Sequence, residues 1–150
     1  MFTAAAALIF LSGCGSTTQS AIEITPSDVV SSTVTTTNQP LYSKVVALAN
    51  GTAEIIDSLG LKKILVGRDI ASTDPSLESV PIVTSGHQVV AEKIISLAPD
   101  LVIIDSSVGP SQALDSLKRA SIKVVTINEV WSVGEITAKV RQVASVLQRG

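Results

Sequence analysis

Leu101-Val102-Ile103-Ile104-Asp105 sets aliphatic side chains in unbroken succession and closes them with a carboxylate. A strand with one wet face alternates apolar and polar residues. A run with no polar position is covered on both faces, as in a parallel sheet flanked by helices. Reading outward, Pro110 suits the first turn of a helix that carries Leu114 and Leu117 to Ala120. Lys123-Val124-Val125-Thr126-Ile127 follows as a second strand. A helix from about Val133 to Leu147 then places Ile136, Val140, Val143 and Leu147 on one face.

The same alternation runs upstream. A helix from about Val90 to Leu97 is stopped by Pro99, and Pro81-Ile82-Val83-Thr84 precedes it as a short strand. Ile64-Leu65-Val66-Gly67 is another strand. Before it, Thr52 can cap a helix with Ile55, Ile56 and Leu59 on one face and Gly60 as its stop. Lys44 to Ala49 is the opening strand, ended by Asn50-Gly51. Strands and helices in strict alternation imply parallel pairing through crossover helices. The expected fold is therefore α/β, one lobe with a parallel sheet of roughly five strands flanked by helices.

Composition agrees. Hydrophobic residues make up 45% of the 150-residue chain, charged residues 16% and aromatics 3%, so the core is aliphatic. The formal charge is −2 and no basic run occurs, which removes the electrostatic footprint that nucleic-acid binding requires. A single Cys excludes an internal disulfide and a Cys-rich zinc site.

The N-terminus reads as an export signal. Phe2 to Leu11 is apolar, too short to span a bilayer, and ends in Leu11-Ser12-Gly13-Cys14. That tetrapeptide resembles the lipobox of bacterial lipoproteins, in which the Cys thiol is acylated. Acyl chains on Cys14 would contribute roughly 0.8 kcal/mol per buried CH₂ toward membrane anchoring. No Lys or Arg precedes the apolar run, which leaves the true start open. Residues 1–13 are expected to be a signal peptide and 14–42 a lipidated, Ser/Thr-rich tether. Residues 43–150 are expected to be the folded lobe, held on the extracytoplasmic face of the cell membrane.

In an open parallel sheet, ligands bind at the carboxyl edge of the strands. The loops there hold Asn50-Gly51, Arg68-Asp69, Ser85-Gly86-His87-Gln88, Ser106-Ser107 and Asn128-Glu129. An enzyme reading finds little to use. No Gly-x-Gly-x-x-Gly or Walker loop is present, and no Gly-x-Ser-x-Gly elbow presents a serine. Asp69, Asp105 and Glu129 stand on separate loops. No catalytic residue is assigned. His87, the only histidine, is either a loop residue or an axial ligand for haem iron, and Gly86 before it would let the loop approach a flat macrocycle.

Residues 45–147 resemble the N-terminal lobe of the periplasmic binding proteins for haem, ferric siderophores and cobalamin. Val45-Val46-Ala47-Leu48-Ala49-Asn50-Gly51-Thr52-Ala53-Glu54-Ile55-Ile56 looks like the family's opening strand, turn and helix. Glu92-Lys93-Ile94-Ile95-Ser96-Leu97-Ala98-Pro99-Asp100-Leu101-Val102-Ile103 is its most specific match. Gly86-His87-Gln88 is similar to the haem loop of members from Gram-positive actinobacteria. There the His binds haem iron and a Tyr of the second lobe is the other axial ligand.

The resemblance implies an ABC-importer substrate-binding lipoprotein with haem as the transported ligand, met by His87, Gly86, Asn50 and Arg68. It also implies that Glu92 docks on the membrane permease. A carboxylate there also suits the first turn of a helix, by about 0.3–1 kcal/mol. Gly150 falls where the family's connecting helix begins, so the expectation is one lobe, with the second outside this sequence. Two alternatives stay open: a ferric-siderophore or cobalamin binder of the same family, and a membrane-tethered α/β interaction or enzymatic domain.

Overall fold

Odd- and even-numbered residues of the central strands feed two different cores. The computed structural model describes residues 41–85 and 88–148, so Gly86, His87, Cys14, the signal peptide and nearly all of the tether lie outside the described residues. Strands β1 (Val45–Ala47), β2 (Leu65–Arg68), β5 (Leu101–Ile104) and β6 (Lys123–Thr126) form one parallel sheet in the order β2-β1-β5-β6. A short antiparallel pair, β3 (Thr84–Ser85) and β4 (Gln88–Val89), stands apart from it.

Val45, Ala47, Leu101 and Ile103 face one way, against Ala53 and Ile56 of α1 (Thr52–Ser58) and Val143 and Leu147 of α4 (Ile136–Gln148). Val46, Leu48, Val102 and Ile104 face the other. They meet Ile94 of α2 (Ala91–Leu97) and Leu117 of α3 (Ser111–Arg119). Since side chains alternate along a strand, an unbroken aliphatic run serves both layers at once. Each such side chain fully buried contributes about 1.5–3 kcal/mol.

The α/β class and the parallel sheet agree with the sequence reading, and the details differ in four places. The sheet has four strands among the described residues. Pro81 to Thr84 adds only an isolated bridge, Arg68 to Ile82, because Pro81 has no N–H to give and Thr84 turns away into the hairpin. Thr52 is not the cap of α1. Gly51 takes that place with φ of 69°, a conformation open to glycine, and Thr52 is fully buried. Pro110 is the residue before α3, not its first turn. Tyr42, read as the last residue of the tether, packs in the core at 7% exposure, and its hydroxyl accepts from Lys123 Nζ at 2.6 Å.

Candidate functional site

Strand order locates the site. From β1 the chain moves outward to β2 on one side; from β5 it moves outward to β6 on the other. Connections that diverge in this way leave a crevice at the carboxyl edge between the two strands. A crevice does open there, lined by Leu48, Asn50, Asp69, Ala71, Thr84, Ser107 and Val108, with a volume of about 160 Å³. At that size it is smaller than ligand pockets, which run to roughly 300–1,000 Å³.

Its polar floor is fixed from below. The Asp105 carboxylate, 2% exposed, accepts from the Asn50 N–H at 3.0 Å. Its other oxygen accepts from the Ser107 N–H at 3.1 Å and the Ser107 hydroxyl at 2.6 Å. A buried carboxylate needs such donors, and they in turn hold the two loops in place. On the far side, Thr84 Oγ1 donates to Asp69 at 2.8 Å and accepts from the Ile70 N–H at 2.9 Å. Ser106 donates to Glu129 at the outer end of the rim.

The hairpin forms one wall. Thr84 lines the crevice, and across the pair Ser85 stands opposite Gln88. Gln88 bridges Gly109, whose carbonyl accepts from the Val89 N–H at 2.8 Å, and Val108 beside it lines the crevice. Gly86 and His87 fall in sequence between Ser85 and Gln88, outside the described residues.

Of the rim residues named from sequence, Asn50 is in the crevice. Its carbonyl accepts from Lys139, a buried lysine of α4. Arg68 has a different place. Its guanidinium is buried and donates to the carbonyls of Leu77 at 3.0 Å, Val80 at 2.9 Å and Ser72 at 2.6 Å. It stitches the loop after β2 to the sheet and does not line the crevice. Glu92 is exposed in the first turn of α2, in a groove with Gln88, Ile95 and Gln112, also away from the crevice.

Asp69 and Ser107, placed on the rim by the sequence but not among the expected ligand contacts, line the crevice, and so does Thr84, which the sequence did not place there. Asp69 and Ser107 were legible as loop residues at strand ends. Thr84 reads as an ordinary strand residue, and only its bond to Asp69 reveals it.

The comparisons follow the same outline. The family described as periplasmic binding protein matches residues 45–150. An uncharacterized ABC transporter substrate-binding lipoprotein of Bacillus subtilis (strain 168), YvrC, is 32% identical over 149 residues, covering 91% of this chain and 47% of that protein. The crystal structure of heme binding protein HmuT is similar at 36% identity and a TM-score of 0.66, over 71% of this chain and 35% of that one. BhuT, a periplasmic heme-binding protein in complex with two hemes, is similar at 30% identity and a TM-score of 0.62, over 69% and 41%. The chain therefore spans about a third to a half of the length of these relatives.

Proposed function

The chain belongs to the periplasmic binding protein family, and on that premise we propose that it is the ligand-binding lobe of an ABC-importer substrate-binding protein whose cargo is haem. The observation that carries the haem reading is the anchoring of the β3–β4 hairpin to the crevice. Thr84 lines the crevice, and Gln88 is tied to Gly109 next to crevice residue Val108. His87, bonded to Gln88 in the chain, is the one imidazole available as an axial ligand. Asn50 stands across the same crevice with its backbone fixed at both ends. Arg68, committed to carbonyls, is left out of the ligand set. The likeness to heme-binding HmuT and BhuT supports the same reading.

The remaining parts fit an importer. Residues 1–13 act as a signal peptide and Cys14 carries the lipid anchor. The stretch read as residues 14–42, less the core residue Tyr42, is the tether, and the lobe hangs on the extracytoplasmic face of the membrane. Glu92, exposed on α2, is the docking carboxylate for the permease. The role is binding and delivery, not catalysis.

Equilibrium binding of haemin, a ferric hydroxamate siderophore and cobalamin to the purified chain tests the cargo. The expected result is saturable haemin binding with no comparable affinity for the other two. Tighter binding of the siderophore or the corrinoid would overturn the haem reading and leave the family standing.

A further inference from the structure

Trp131 is the only tryptophan in the chain and is 86% exposed. Val133 beside it is 85% exposed and Ile136, one helical turn on, 48%. These side chains line one groove with Ile55 and Asn50, and Asn50 also lines the crevice. Isolated surface hydrophobics are ordinary, whereas several together, headed by a bare indole, mark a surface with something to meet.

The exposure is built into the backbone. Glu135 Oε2 accepts from the N–H groups of both Trp131 and Ser132 at 3.1 Å, and the Ser132 side chain completes the reciprocal cap. The loop that bears the indole is thus tied to the start of α4. The groove measures about 440 Å³ and so falls within the range of ligand pockets, which the crevice alone does not reach. Lys139, which lines the groove, is buried and its Nζ donates to the Asn50 carbonyl. An apolar shelf headed by an aromatic face suits a flat apolar ring.

We propose that Trp131, Val133 and Ile136 form an apolar shelf, continuous with the crevice through Asn50, that receives a face of the porphyrin ring. This rests on the haem reading and adds the surface that recognises the macrocycle apart from its iron.

The test uses the whole chain with two probes, haemin and metal-free protoporphyrin IX, against Trp131→Ala and Trp131→Phe. The exposed indole makes few internal contacts, so both variants should keep the parent's far-UV circular dichroism. Trp131→Ala is expected to weaken both probes roughly tenfold, and Trp131→Phe, which keeps an aromatic face, by no more than about threefold. If the parent binds haemin and Trp131→Ala binds it equally well, the shelf is overturned and the haem reading stands. A parent that binds neither probe overturns both. Concentration-dependent dimerisation, abolished by Trp131→Ala with porphyrin affinity unchanged, would give the surface to a second copy of the chain and overturn the shelf.

Discussion

The Asn50 N–H donates to the Asp105 carboxylate at 3.0 Å, a bond that crosses from the loop after β1 to the end of β5 where the crevice opens. Asp105 is 2% exposed and takes two further donors from Ser107, so its removal leaves part-buried N–H groups on both loops without their acceptor. Asp105→Ala is expected to cost about 2 kcal/mol. Urea unfolding would show this as a lowered midpoint at unchanged slope.

Arg68 predicts a loop effect. Its planar guanidinium reaches three carbonyls, a geometry that one ammonium point charge cannot copy. Arg68→Lys should destabilise the protein by about 2 kcal/mol, because buried carbonyls lose their donors. Limited proteolysis should then cut first between residues 72 and 80. If haem affinity fell at full stability instead, Arg68 would belong to the ligand site after all.

Gly67 predicts a packing effect. A Cβ there would lie 3.0 Å from Val83 Cγ1, 3.2 Å from Val46 Cγ2 and 3.3 Å from Leu97 Cδ1. Those atoms belong to the even-residue core, which cannot yield on three sides together. Gly67→Ala is expected to cost about 1–3 kcal/mol, read from the thermal midpoint.

Asp100 predicts a pH dependence. One of its oxygens accepts from the Ser43 hydroxyl at 2.7 Å, the Ser43 N–H at 2.8 Å and the Lys44 N–H at 2.9 Å. The Ser43 hydroxyl first, then the Ser43 amide, hold the carboxyl below its ordinary value of 3.8. A carboxylate lowered in the folded state stabilises it fully above that ordinary value, and the contribution is lost as pH falls through the lowered one. Asp100→Asn should therefore be less stable than the parent at pH 7, and the gap should close below pH 3.8. A gap independent of pH would mean that the clasp does not depend on the charge.

The layered fold was legible in the sequence because its signal is local. Leu101 to Ile104 is aliphatic at every position, and Val143 and Leu147 recur at helical spacing, so strand, helix and buried faces follow from periodicity. The carboxyl-edge site followed from topology, which brings Asn50, Asp69 and Ser107 together. What stayed hidden depends on contacts between segments with no period. Arg68 finds its carbonyls in a loop without regular structure, and Thr84 becomes a site residue only through Asp69. Tyr42 looks like tether until Lys123, far along the chain, is placed beside it. Thr52 loses the cap to Gly51 because a positive φ outweighs a side-chain preference that sequence alone can weigh. The reading of His87 rests on the sequence and on the anchored strands at either side of it.

The most direct measurement of the central claim is a haemin titration of the purified chain followed in the Soret region, beside the same protein carrying His87→Ala. The parent is expected to give a saturable Soret shift that His87→Ala abolishes or weakens at least about tenfold, through loss of an iron ligand. An identical shift at identical affinity in both proteins would contradict it.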